Sequence, residues 1–253
     1  MAELDRRYAQ STPVGRTDAG VIDQGLRAYM IRVYNYMASG VAITGVVAYL
    51  VYAMSVVTGV DGAITGLTPF GNFMFASAFK WVVIFAPLAL VFFISARINS
   101  MSLSTAQITF WVFAALMGAS LASIFMIYAH ESIARVFFIT AASFGALSLW
   151  GYTTNRDLSG WGSFLFMGLI GIIIAMLVNL FIGSTALQFA ISVIGVLVFA
   201  GLTAYDTQQI KEMYYVGDDG SVAGRKAVMG ALRLYLDFIN LFMMLLSLFG
   251  DRR

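Results

Sequence analysis

Seven runs of about 20 predominantly apolar residues divide the chain, at roughly 36–58, 80–98, 106–129, 133–153, 162–183, 187–209 and 227–249. A helix of about 20 residues, rising 1.5 Å per residue, crosses the ~30 Å hydrocarbon core of a bilayer. Inside lipid every backbone N–H and C=O must be satisfied internally, which leaves helices and closed barrels as the only spanning structures. Unbroken apolar runs of this length predict the first: an all-α membrane protein with seven transmembrane helices. Composition agrees, with 60% hydrophobic and 11% charged residues, against about 25% charged in a soluble domain. Mean hydropathy is +0.84. A net charge of +2 without a basic stripe points to no nucleic-acid partner. The absence of cysteine excludes a disulfide framework, a thiolate metal site and a cysteine nucleophile.

Three parts follow from the charge distribution: a polar N-terminal tail over 1–35, a single transmembrane domain over 36–249 and a short tail over 250–253. The first 35 residues mix Glu3, Asp5, Asp18 and Asp23 with Arg6, Arg7, Arg16, Arg27 and Arg32, and lack the short apolar core of a signal peptide. Within them, "DQGLRAYMIRVYNYM" spaces its apolar residues helically and reads as an interfacial lead-in to the first span. Two longer connections carry turn chemistry: 59–79, with "GVDGAITGLTPFGNF" and Asp61, and 210–226, with "GDDGSVAGRK". With a cytoplasmic N-terminus, Arg6, Arg7, Arg16, Arg27, Arg32, Arg97, Arg156, Lys211, Arg225 and Lys226 fall inside, and Lys80, Arg135, Arg252 and Arg253 outside. This bias predicts that orientation. The seventh run is interrupted by Arg233, Asp237 and Asn240, so it is expected at the centre of the bundle or as a re-entrant segment.

Two aspartates stand inside apolar runs: Asp206 in "GLTAYDTQQI" and Asp237 in "LRLYLDFINLF". A carboxyl group at membrane depth marks a functional site when its partner can be named. Helical neighbours of Asp206 at i±3 and i±4 are Leu202, Thr203, Gln209 and Ile210, none basic, so its partner must come from another helix, from water or from a proton. The plain alternative is that it snorkels to the interface. Asp237 has Arg233 one turn before it as a candidate local partner. Arg97 ends the second run on the same side as Asp206, either as an ordinary positive-inside anchor or as a partner for that carboxylate. Pro87, ten residues earlier, removes a backbone hydrogen bond and supplies a candidate hinge. If the two carboxyls meet, they titrate as a pair and form an acid-tunable site whose oxygens suit a hard cation such as Ca²⁺.

"AYDTQQI" before the last loop together with "LRLYLDFINLF" in the last span resembles the transmembrane Bax-inhibitor-motif family, over about residues 25–249. The resemblance implies seven spans with the last helix central, a cytoplasmic N-terminus and a pH-sensitive calcium-leak channel, with Ca²⁺ as the transported ion and no bound cofactor; the short loops and the lack of a targeting signal favour a bacterial inner membrane over a eukaryotic organelle. It implies that Asp206 and Asp237 form the pH-sensing pair and that Arg97 latches one of them. The strongly basic C-terminal tail of some members is missing here, where the chain ends "FGDRR". Some members are thought to regulate membrane proteases or cell-death factors without conducting. That second reading makes residues 1–35 a candidate partner-binding segment, and flux through the purified protein separates the two.

Enzymatic readings fit less well. An intramembrane aspartyl protease has its second aspartate in a Gly-x-Gly-Asp context, whereas Asp237 sits in "LYLD". A serine protease built on "GAS" at 118–120 would need a histidine as base, and His130 lies toward the far end of the same run. Gly118, Ser120 and Ser123 read more simply as small residues at a helix contact. His130 and Glu131 are too few for a metal site. Lys80, Lys211 and Lys226 stand near run ends rather than where a retinal would sit, and the 14 methionines read as packing. No catalytic residues are assigned.

Overall fold

The computed structural model describes residues 14–59 and 63–253, with side chains from residue 24 onward. Residues 1–13 of the N-terminal segment, and Asp61, lie outside the described residues. Each of the seven expected spans contains a long helix, but the first ends at Ser55, with 56–58 a strand, and the third breaks after Leu121. The first, α1 (Val14–Ser55), is one continuous helix. The lead-in and the first span are therefore a single element, with no break in the backbone at residue 35. Its apolar spacing explains this: Tyr29, Met30, Val33 and Met37 fall on one stripe and are all buried.

The 59–79 connection holds more structure than its turn residues suggest. A small antiparallel pair, β1 (Val56–Thr58) and β2 (Ile64–Leu67), aligns Val56 with Leu67. The hydroxyl of Thr68 then caps a helical turn at Pro69–Gly71, which runs into a π-helical turn at Asn72–Ala76. Beyond it come α2 (Lys80–Arg97), extended by a tight turn at Ile98–Ser100, and α3 (Leu103–Leu121), capped by Ser102 and followed by a turn at Ile124–Ile127. After these come α4 (His130–Thr153) and α5 (Ser159–Ile182). Gly183 ends α5 with φ +66°, the left-handed conformation that closes a helix without a Cβ clash. The last two helices are α6 (Thr185–Glu212) and α7 (Gly220–Phe249). Asp219 starts α7 by accepting from the N–H groups of Ser221 and Val222, at 2.8 and 2.7 Å.

In α7, 61% of the most apolar stretch is buried, against 17% in α5. A helix that carries ionisable groups at membrane depth is placed away from lipid, and α7 packs against α1, α3, α4 and α6. Of the two sequence expectations for the seventh run, the central full-length helix is the one found. At the periphery, α5 packs chiefly on α6 and α2 chiefly on α3. Their outer faces present side chains such as Phe164, Leu180 and Phe92 at 66–78% exposure, the surface a bilayer covers. Small residues set the closest approaches: a Cβ on Gly118 of α3 would stand 2.6 Å from the Thr44 carbonyl oxygen of α1. This is the helix-contact role expected for the "GAS" segment.

Candidate functional site: a carboxyl pair between the last two helices

The seam between α6 and α7 is narrow on both sides of its aspartates. A Cβ on Gly195 would meet Met244 Sδ at 2.7 Å, and one on Gly230 would meet Ile210 Cγ2 at 3.0 Å. Glycine at each point lets the two backbones close up. Between these contacts, the carboxyl groups of Asp206 and Asp237 come within side-chain hydrogen-bonding reach of each other. Asp237 is 5% exposed and Asp206 is half-buried. Among the described residues, Asp237 Oδ2 has no other hydrogen-bond partner. Asp206 therefore faces into the bundle and does not snorkel to the interface.

Arg233 is the guanidinium whose positive charge acts on both carboxyls. It lies one turn before Asp237 on α7 and is half-buried. Among the described residues, the ion pairs within 4.0 Å are Arg135–Asp251 and Lys226–Asp218. Arg233 thus stands off from the pair and is not the close local partner expected for Asp237. It influences the site through space, where a low-dielectric surround lets charge act over several ångströms.

The structure does not bring Arg97 to the pair. Its side chain is exposed at the end of α2, the helix packs chiefly on α3, the turn that follows, Ile98–Ser100, touches α7, and among the described residues no ion pair within 4.0 Å joins Arg97 to either aspartate. Pro87 is buried in the middle of α2 and leaves the Val83 carbonyl without its usual helical donor. His130 stands edge-on to the Tyr52 ring, with centroids 5.2 Å apart, and tilted against Phe125 at 5.6 Å. Among the described residues, no group of three or more His, Cys, Asp or Glu side chains forms a metal site.

Several polar residues that sequence reading passed over hold the pair in place. Gln208, two residues after Asp206, accepts from the Leu158 N–H at 2.8 Å and donates to the Arg156 carbonyl at 2.9 Å. It pins α6 to the α4–α5 connection. Tyr34, Ser148 and Thr207 form a hydrogen-bonded chain across α1, α4 and α6, at 2.7 and 2.8 Å. Lys226 Nζ bonds Asp218 at 2.5 Å and the Met213 carbonyl at 3.1 Å, closing the loop between α6 and α7. Toward the other end of these helices, Ser192 donates to Ser247 at 2.9 Å, beside Gln188. The quoted "AYDTQQI" already contained Thr207 and Gln208. Their visible signal was their place at successive positions inside an apolar run, where unpaired polar groups are costly.

Comparison with known proteins adds a sequence-wide result. The model of the family described as "Inhibitor of apoptosis-promoting Bax1" matches residues 26–253. The inner membrane protein YbhL of Escherichia coli is 48% identical over 231 residues, covering 90% of this chain and 94% of YbhL. RP147 of Rickettsia prowazekii is also 48% identical over 231 residues, covering 91% of this chain and 92% of its own length. A protein of Caulobacter vibrioides is 44% identical over the full length of both chains. With seven apolar helices, α7 at their centre, the chain belongs to the Bax inhibitor family and is a multi-pass integral protein of the bacterial inner membrane.

Proposed function

We propose that this protein is a pH-sensitive calcium-leak channel, with Asp206 and Asp237 as its proton-sensitive gate. The observation that carries the reading is the meeting of these two carboxyl groups inside the bundle, on neighbouring helices, under the charge of one stand-off arginine. Two carboxyls at hydrogen-bonding reach are most simply joined by one shared proton, leaving a single negative charge to hold Arg233. A second proton removes that charge, and the attraction that binds the α7 guanidinium to the seam goes with it. The seam loosens, and Ca²⁺ moves down its gradient past the carboxyl oxygens. Two carboxyls supply too few oxygens to replace the hydration of Ca²⁺, which takes six to eight ligands at roughly 2.4 Å. The ion would pass partly hydrated, as a transient visitor.

Arg97 and Pro87 belong to a second conformation of this scheme. There α2 bends at Pro87 and carries its charged end toward Asp206. The basic residues near the start of α1 and at the ends of α2, α4 and α6 support a cytoplasmic N-terminus.

The test is Ca²⁺ flux into vesicles containing the purified protein, across the acid-to-neutral range, for wild type and Asp206→Asn. Acid-stimulated flux that becomes pH-independent in the variant supports the gate. Unchanged pH dependence in the variant removes Asp206 from it. No flux in either protein overturns the channel and leaves a non-conducting regulator.

A further inference from the structure

A cleft of about 730 Å³ lies between α1 and α4, and a second of about 310 Å³ continues it toward the far side of the bundle. Val41, Phe137 and Phe238 line both, so the two form one slot with α7 as its floor. It extends from Arg27 to Ala48 along α1 and from Tyr152 to His130 along α4. Twenty-one residues of helix make that about 31 Å, close to the hydrocarbon thickness of a bilayer. Its length and apolar lining suit an extended acyl chain.

Its chemistry is that of a lipid site with a polar end. Tyr34 Oη and Ser148 Oγ in its wall are bonded to each other at 2.7 Å, and Thr44 Oγ1 is bonded to Tyr235 and the Ala114 carbonyl, so most of the remaining lining is apolar. Arg27 stands exposed at one mouth, without an ion-pair partner among the described residues. Beside it, Tyr152 lines the slot, accepts a bond from Lys211 Nζ at 3.0 Å and lies with its ring 5.3 Å below that ammonium. The other mouth is lined by His130, whose ring neighbour Tyr52 is bonded by Arg253 at 3.5 Å. Arg27 at the mouth of the larger cleft, with Lys211 on the Tyr152 ring beside it, matches an acidic headgroup above a buried acyl chain.

We propose that the α1–α4 slot is a binding site for an anionic phospholipid, with one acyl chain against Phe238 and its phosphate at Arg27. This does not depend on the channel reading. The experiment uses the purified full chain in vesicles with phosphatidylglycerol, or with phosphatidylcholine, carrying a photoreactive group on the acyl chain. Expected is concentrated labelling of the α1 and α4 segments that line the slot. Arg27→Gln lowers phosphatidylglycerol labelling there about fivefold, the factor that one basic residue contributes at an anionic surface, and leaves phosphatidylcholine labelling unchanged. Gly145→Leu, which fills the slot from a position where an added Cβ meets no atom within 4 Å, removes both. Both variants keep the wild-type melting temperature within a few degrees. Labelling spread evenly over the outer face of α5 would overturn the site. So would phosphatidylglycerol labelling unchanged by Arg27→Gln, or a slot protected by cross-links between copies.

Discussion

Gly151 on α4 lies against the backbone of Ala204 on α6, two residues before Asp206. A Cβ at Gly151 would stand 2.9 Å from the Ala204 Cα, with the carbonyl closer still. Backbone cannot swing aside as a side-chain tip can, so Gly151→Ala must push α4 and α6 apart. The expected cost is about 1–3 kcal/mol, the usual range for an overpacked contact. Thermal unfolding of the purified protein in detergent reads it directly, and a wild-type melting temperature would mean that the helices are looser than they look.

Asp237→Asn is expected to reproduce the loss of pH dependence in Asp206→Asn. The double variant should be no further from wild type than either single one. Groups that act as a unit are non-additive when mutated, and a pair joined by one proton is such a unit. Additive effects on flux across pH would separate the two aspartates into independent sites.

Removing the stand-off charge has a different signature. Arg233→Gln leaves the carboxyl pair without its nearest cation, and Arg233→Lys keeps the charge without the planar fork. We expect raised Ca²⁺ flux at neutral pH in the glutamine variant, wild-type-like flux in the lysine variant, and a stability loss of about 1–3 kcal/mol in the former only. Equal loss in both would show that the guanidinium is held for its shape.

Thr44 and Tyr235 give an asymmetric prediction from one hydrogen bond. Thr44 Oγ1 donates to the Ala114 carbonyl at 2.8 Å, which spends its only proton, so the 2.6 Å contact has Tyr235 as donor. Tyr235→Phe leaves Thr44 bonded and should cost about 1 kcal/mol. Thr44→Val strands the Tyr235 hydroxyl in a buried site, while the Ala114 carbonyl keeps its helical donor, and should cost more, about 1–3 kcal/mol. Chemical denaturation of both variants checks the order, and the reverse order would assign the donor wrongly.

The spans were legible because lipid imposes one requirement on every one of them: about 20 apolar residues with internally satisfied backbone. The same requirement made Asp206 and Asp237 stand out. Its converse also located α7, since a helix carrying Arg233, Asp237 and Asn240 cannot face lipid cheaply. Other features were not legible because they depend on where distant residues meet. Thr44 and Tyr235 are 191 positions apart, and Gln208 finds its partners in a connection 50 residues earlier. Arg97 shows the same limit from the other side. Its place at a helix end was plain, but the packing of α2 on α3 keeps it from Asp206. The strand pair after α1 was hidden by its shortness and its glycines.

The central position of α7 also has a consequence for biogenesis. The chain is made from its N-terminus, so six helices enter the bilayer before the one they surround. Until α7 arrives, α1, α3, α4 and α6 lack their common neighbour, and Asp206 lacks the carboxyl that faces it. Assembly therefore ends with a helix carrying Arg233, Asp237 and Asn240 moving into a space already lined with its contacts. A segment costly to leave in lipid is the one that completes the bundle.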